Sequence, residues 1–328
     1  MIKKSLTVIL MLLLSIGLTS QILAQRAFEL RSGVIVDPGR RVAYVMNTKG
    51  GIDTVELDRG TIVWSTDQAA KPLALIGDRL ICQVESKTLG SELRIAILNA
   101  QERGKRLVVN STKLPSNVKT SIDETLNSSF TNYARVRGED IFMSWKYSFR
   151  HVEGTAPPDK RFDKKALPTS KMKLPQITSG TIRIDVSSGA MSFPKQKEIP
   201  VDLAPRTPDL AVHERLVDVP GPQFIAADGA HVLKSERIAD DRVWDKYRWT
   251  IYDRATGERV GEIRNFRSRA SFFVLGSQII YETGPYTRRT EKGLVHEPLK
   301  IRAANMKTGQ ELWSRAIRDT TYRGPFPG

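Results

Sequence analysis

Two kinds of glycine turn alternate along this 328-residue chain, five of each, and few folds accommodate that pattern. The first kind sits between two apolar runs: "VDPGRRVAYV" around Gly39, "ALIGDRLICQV" around Gly77, "ARVRGEDIFMSW" around Gly138, "IAADGAHVLKS" around Gly229 and "FVLGSQIIYE" around Gly276. Tight hairpin turns demand positive φ, which glycine adopts without a steric cost. The flanking runs alternate apolar and polar residues, as half-buried strands do. The second kind falls between one such turn and the next: "DTVELDRGTIVW" with Gly60, "AILNAQERGKRLV" with Gly104, "IRIDVSSGAMSF" with Gly189, "TIYDRATGERVG" with Gly257 and "AANMKTGQELW" with Gly309. There a strand ends in an acid or Asn, the chain turns, and glycine releases it into a returning strand.

Two hairpin types in strict alternation imply about four strands per unit. Successive glycines of the second kind are 44, 85, 68 and 52 residues apart, so two units carry insertions. A minimal period of about 42 to 50 residues is that of β-propeller blades. The expected fold is therefore all-β, a β-propeller of four-stranded blades with about five recognisable repeats and a range of five to seven. One such blade cannot cover both of its faces alone, so each must bury them against its neighbours around an axis. A two-sheet sandwich also shows short strands and frequent turns, but it has no reason to alternate two hairpin types in order.

Four residues past the second-kind glycines stand Trp64, Val108, Phe193, Gly261 and Trp313. Large aromatics dominate packing energetics, so Trp64, Trp313 and Phe193 are expected to wedge between blades rather than to bind a ligand. The associated turn residues Gly60, Gly189, Gly257 and Gly309, with Asp253 and Asn305 at strand ends, complete the expected blade-docking set. Ring closure is expected from "AFELRSGVIV" pairing with the last blade beside "LWSRAIRD".

The N-terminal stretch "MIKKSLTVILMLLLSIGLTSQILAQ" has two lysines, an apolar run and a small residue at Ala24, the pattern of a secretory signal peptide. Residues 1–24 are expected to be that signal and 25–328 a single propeller domain. The apolar run of about 13 residues falls short of the ~20 needed to span a bilayer, so no integral membrane segment is expected after cleavage. No Cys follows the run, so a lipoprotein anchor has no acceptor thiol. An extracytoplasmic location, periplasmic or secreted, follows. The lone Cys82 cannot form an internal disulfide and is expected as a buried small hydrophobe.

Lys and Arg number 51 against 36 acids; without Lys3 and Lys4 the excess is +13. Such a balance favours anionic partners by long-range attraction, although scattered basic clusters also serve as an ordinary solvated surface. The segment 146–180, "KYSFRHVEGTAPPDKRFDKKALPTSKMKLPQITSG", is rich in Lys and Pro and reads as a basic loop leaving one blade. Together with the Pro-rich stretch from Pro194 to Pro222 it is the expected contact surface. The expected partners are a protein or an anionic envelope component, with no nucleic acid, and the chain is expected to be a monomer.

The stretch "AANMKTGQELW" is similar to the tryptophan-docking motif A-x-D-x-x-x-G-x-x-x-W of the quinoprotein dehydrogenase propellers at Ala303, Gly309 and Trp313, with Asn305 at the usual Asp position. "GGIDTVELDRGTIVWSTDQAAKPLALIGDRLICQV" also resembles a pyrroloquinoline-quinone-like repeat, and "IYDRATGERVGEI" keeps Asp253 and Gly257 without the Trp. The resemblance runs from about residue 33 to 315 and is faint from 105 to 220. It implies the propeller fold, which by itself does not imply an activity. The dehydrogenases of this family have eight blades, a vicinal disulfide over the cofactor and a bound Ca²⁺. Five units, one Cys and no D-x-[DN]-x-[DN]-G calcium loop depart from that pattern. The chain therefore resembles the non-enzymatic members, which use the propeller as a binding platform.

Other chemistry finds no motif. His151, His213, His231 and His296 show no metal-ligand spacing, and the first and last are expected in loops; G-x-S-x-G, P-loop and HExxH patterns are absent. The acidic pairs Glu139 with Asp140 and Asp240 with Asp241 lie in or beside turns, where acids are common for hydrogen bonding. The functional expectation is an exported, non-catalytic β-propeller binding or scaffold protein of the bacterial cell envelope, with no cofactor. The alternative is a quinone-type oxidoreductase, with pyrroloquinoline quinone and calcium, or a hydrolase acting on an envelope polymer.

Overall fold

The structure, a computed structural model, describes residues 27–86, 90–149, 176–200, 211–212, 217–241, 244–290 and 293–321. The expected signal peptide and most of the basic segment, His151 included, lie outside the described residues.

The described strands form five antiparallel blades in chain order. Blade 1 holds β1 (Phe28–Arg31), β2 (Val34–Asp37), β3 (Val42–Met46), β4 (Ile52–Glu56) and β5 (Ile62–Thr66). Blade 2 holds β6 (Lys71–Ile76), β7 (Arg79–Gln83), β8 (Glu92–Asn99) and β9 (Lys105–Lys113). Blade 3 holds β10 (Ser128–Arg137), β11 (Asp140–Phe149), β12 (Gln176–Asp185) and the short β13 (Met191–Ser192). Blade 4 adds β14 (Ala211–Val212) inside β15 (Gln223–Ile225), β16 (His231–Asp241), β17 (Trp244–Asp253) and β18 (Arg259–Asn265). Blade 5 is β19 (Phe272–Leu275), β20 (Gln278–Thr283), β23 (Lys300–Asn305) and β24 (Glu311–Ala316), with the hairpin β21 (Tyr286–Thr290) and β22 (Gly293–Glu297) inserted between β20 and β23. His296 therefore lies in a strand, not a loop, and its Nδ1 is 2.8 Å from Thr287 Oγ1.

Each blade runs outward as a meander, so the connections sort by end. Counting four strands per blade from β2 in blade 1 and from β15 in blade 4, first-to-second and third-to-fourth strand turns lie at one end of the ring, the turn end. Second-to-third strand connections and the links between blades lie at the other, the loop end. Both glycine signals therefore mark the same end, with Gly60, Gly104, Gly189, Gly257 and Gly309 all at positive φ. At these third-to-fourth strand turns the glycine N–H donates to a carbonyl back at the strand end, for example Gly309 to Asn305 at 2.8 Å.

Four of the five neighbouring pairs of blades share apolar layers among the described residues. Ile35, Tyr44, Ile52 and Trp64 of blade 1 meet Leu80, Cys82, Ala96 and Leu98 of blade 2. Blade 2 meets blade 3 through Ile81, Ile95, Ile97, Ile141, Met143 and Trp145. Trp249, Ile251 and Ile263 of blade 4 pack with Phe272, Ile279 and Met306 of blade 5. Blade 5 in turn packs Phe273, Ile280, Ile301 and Trp313 on Val34, Val36, Val55 and Leu57 of blade 1, which joins the last blade to the first. Cys82 is fully buried, and that burial pushes its thiol pKa up.

Closure differs from the sequence expectation. "AFELRSGVIV" folds back on itself: Gly33, at φ 80°, turns the chain so that β1 pairs with β2, Phe28 opposite Val36. The seam between blades 5 and 1 is held by side-chain packing and by the indole of Trp313 instead of by a shared strand.

Candidate functional site

Residues of all five blades, from inner strands in blades 1, 2, 3 and 5 and from the β15–β16 turn in blade 4, surround an axial cavity of about 820 Å³ near the turn end. Its wall is apolar where Phe28, Leu73, Leu75, Phe273 and Leu275 face it, and carries ionisable side chains at Glu29, Arg135, Arg137, Asp228 and His231. These residues come from β1, β10 and the β15–β16 hairpin, so no local motif contains them.

Burial pushes the Glu29 carboxyl above the usual carboxylate range, against the pull of Lys71, Arg135 and Arg31. Burial likewise raises Asp228, although the Ala230 N–H bonds its carboxylate at 3.0 Å. Desolvation disfavours the charged form, which is why both acids hold their protons to higher pH. His231 Nδ1 lies 4.0 Å from Asp228 Oδ2, too far for a hydrogen bond.

Two residues before Leu73, at the start of β6, the ammonium of Lys71 is buried. It donates to Asn132 Oδ1 at 2.6 Å, Asn132 Nδ2 donates to Gln83 Oε1 at 2.8 Å, and Gln83 Nε2 donates to the Thr120 carbonyl at 2.9 Å. Burial lowers the Lys71 pKa to about 8, opposed by Glu29. Gln223 makes a similar buried link in blade 4, to the carbonyls of Val217 and Val219, both at 2.9 Å. At the loop end Arg318 joins Glu85 at 2.6 Å and Asp123 at 3.1 Å, tying the last blade to the second and to the segment that follows it. The two acids hold the Arg318 pKa above that of a free guanidinium.

The expected docking residues divide into two groups. A Cβ on Gly60 would lie 2.6 Å from the Trp313 ring, one on Gly104 2.6 Å from Trp64, and one on Gly189 2.7 Å from Val108. Trp313 Nε1 also donates to the Leu57 carbonyl at 2.8 Å. At these three junctions an outer-strand side chain covers the next blade's turn glycine. The other two junctions differ. Phe193 is 56% exposed, and a Cβ added to Gly257 would meet nothing within 4 Å, so Phe193 does not dock there. The reason is local: β13 is only two residues long and ends before Phe193. Gly309 is also uncovered, because the blade 4 position is Gly261 and has no side chain to offer.

Asp253 and Asn305 act within their own turns. Asp253 Oδ1 accepts from the N–H groups of Ala255 and Thr256, both at 2.8 Å, and Asn305 Oδ1 accepts from Lys307 and Thr308 at 2.8 and 3.1 Å. Only an acceptor oxygen is required, so Asn serves where the motif usually has Asp.

The fold and these junctions define a five-bladed β-propeller with an axial cavity. No protein-family model matches the sequence, and no curated protein matches it. Among solved structures, it is similar to a computationally designed protein, Ika8, at 9% identity and TM-score 0.22 over 86% of this chain and 74% of that one. A europium-containing methanol dehydrogenase matches at 11% and 0.24, over 84% of this chain and 67% of that one. The lignostilbene dioxygenase of Pseudomonas brassicacearum matches at 10% and 0.27, over 90% of this chain and 73% of that one. Likenesses at these scores carry no argument about activity.

The calcium that the resemblance brings finds no three-ligand set among the described residues: no three His, Cys, Asp or Glu side chains converge on a point there. The axial acid Glu29 stands instead beside Lys71, Arg31 and Arg135, cations that disfavour a divalent ion.

Proposed function

We propose that this chain is an exported β-propeller of the bacterial cell envelope that works as a binding platform, with the loop end as its contact surface. The observation that carries the reading is the sorting of connections. No turn at the turn end exceeds five residues, whereas the connections 114–127 and 284–299 lie at the loop end, as do Phe149 and Gln176, the strand ends that flank the longest insertion. Long connections on a rigid scaffold are where binding residues concentrate. Segment 146–180 carries eight Lys or Arg against three acids, which suits an anionic envelope component or an acidic protein.

The test removes that segment without disturbing its blade. Phe149 and Gln176 are register partners, so an Asn-Gly turn in place of 150–175 closes the β11–β12 hairpin. The intact protein is expected to sediment with phosphatidylglycerol vesicles or with isolated envelope material, and to be released as salt screens the attraction. The shortened chain is expected to stay in solution. Equal sedimentation of both would remove the reading.

A hydrolase is the second reading, favoured by Glu29 and Asp228 lining one cavity with both carboxyls raised, the state a general acid needs. Release of soluble fragments from purified envelope polymer, lost in Glu29→Gln and in Asp228→Asn, would establish it.

A further inference from the structure

The junction between blades 4 and 5 departs from the docking pattern in a way that leaves a slot. At the closure seam the Trp313 indole covers Gly60 and bonds the carbonyl three residues before it. The equivalent carbonyl in blade 5 is that of Met306, three residues before Gly309. Here it accepts instead from the backbone N–H of Glu262 in β18, at 2.9 Å. Without a side chain at Gly261 the outer strand of blade 4 comes in close, and a Cβ there would lie 2.2 Å from Met306 Cβ. Gly309, by contrast, has nothing within 4 Å of the place its Cβ would take. Beside it runs a groove of about 700 Å³ between β18 and the blade 5 turn.

The charge of this groove is one-sided. Arg259, Arg264 and Lys307 line it, with Glu262 as its single acid. Glu262 is engaged by Arg259 at 2.6 Å and Arg248 at 3.4 Å. Arg264 and Lys307 are exposed and have no ion-pair partner among the described residues.

We infer that this groove is a docking slot for an aromatic side chain carried on an acidic segment of a partner protein, the aromatic ring lying over Gly309 as Trp313 lies over Gly60 and Trp64 over Gly104. The chain's own junctions show that a flat ring fits against a turn glycine of this geometry, because the missing Cβ admits the ring face. The cations select the flanking residues, since an acidic segment gains and a basic one is repelled. The slot lies at the turn end, opposite the loops, so it stands or falls separately from the loop-end platform.

The experiment uses a synthetic hexapeptide with one Trp flanked by Asp and Glu, titrated into the isotopically labelled full chain. Binding is expected to shift the Gly261, Lys307 and Gly309 amide resonances and to weaken at least tenfold in the double variant Arg264→Glu, Lys307→Glu. Both side chains are exposed, and an unchanged melting temperature verifies that the variant is folded. The same peptide with Ala for Trp, or with Lys for its acids, is expected to leave those amides unmoved. Failure of the acidic Trp peptide to shift Gly309, equal binding by either control peptide, or full binding to the charge-reversed variant would each overturn the slot.

Discussion

The indole of Trp313, in the last strand of the ring, lies over Gly60 in the first blade and donates to the Leu57 carbonyl 2.8 Å away, across 256 residues of sequence. One side chain thus supplies packing, a hydrogen bond and closure at the same seam. Trp313→Ala is expected to cost about 3–5 kcal/mol in denaturant unfolding, the range for truncating a buried aromatic. Trp313→Phe keeps most of the packing and is expected to cost about 1 kcal/mol more than the lost area alone, for the unpaired carbonyl. If Trp313→Ala unfolds at the same denaturant concentration as the parent, the seam is held by something else.

Turn glycines that share one backbone conformation are expected to respond differently to a methyl group. Gly60 at φ 67° and Gly257 at φ 72° have nearly the same backbone, but only Gly60 has a tryptophan ring 2.6 Å from the new Cβ. Gly257→Ala is therefore expected to cost only the left-handed penalty of about 1 kcal/mol. Gly60→Ala adds overpacking of about 1–3 kcal/mol, because the ring belongs to the packed seam and cannot move freely. Equal melting temperatures for the two variants would contradict the docking geometry.

Lys71 predicts a slope of stability with pH. In the folded chain it loses its proton near pH 8, pushed down by burial, whereas in the unfolded chain it does so near about 10.4. Between those values the unfolded state binds more protons, so stability rises with pH across the window. Below pH 8 both states are protonated and the full cost of burying the ammonium is present. The relief by pH 10 is on the order of 3 kcal/mol at about 1.4 kcal/mol per unit. Urea unfolding of the parent and of Lys71→Met at pH 7.5 and pH 10 should diverge by roughly that amount; parallel profiles would show that the amine is solvated.

Asn305 supplies only an acceptor to the N–H groups of Lys307 and Thr308. Asn305→Asp is expected to leave the melting temperature nearly unchanged, and Asn305→Ala to cost about 1 kcal/mol for the two lost acceptor contacts. A loss of equal size in both variants would assign the role to the amide NH₂.

The blade count and the turn chemistry were readable from residues close together in the chain. A glycine at positive φ and an Asx oxygen capping nearby N–H groups act within five residues, so "DRATG" and "NMKTG" declare themselves wherever they occur. Which side chain meets which glycine was not readable, because docking joins residues far apart in the chain and depends on how long each outer strand runs. Val108 docks although it is no aromatic, and Phe193 does not although it is one, since β9 continues past its docking position and β13 stops short. The axial cavity lay further still from view. Glu29, Asp228 and His231 share no motif, and only the arrangement of the five blades brings them to one cavity, with the buried Lys71 close to Glu29; burial raises the pKa of Glu29 and Asp228 and lowers that of Lys71.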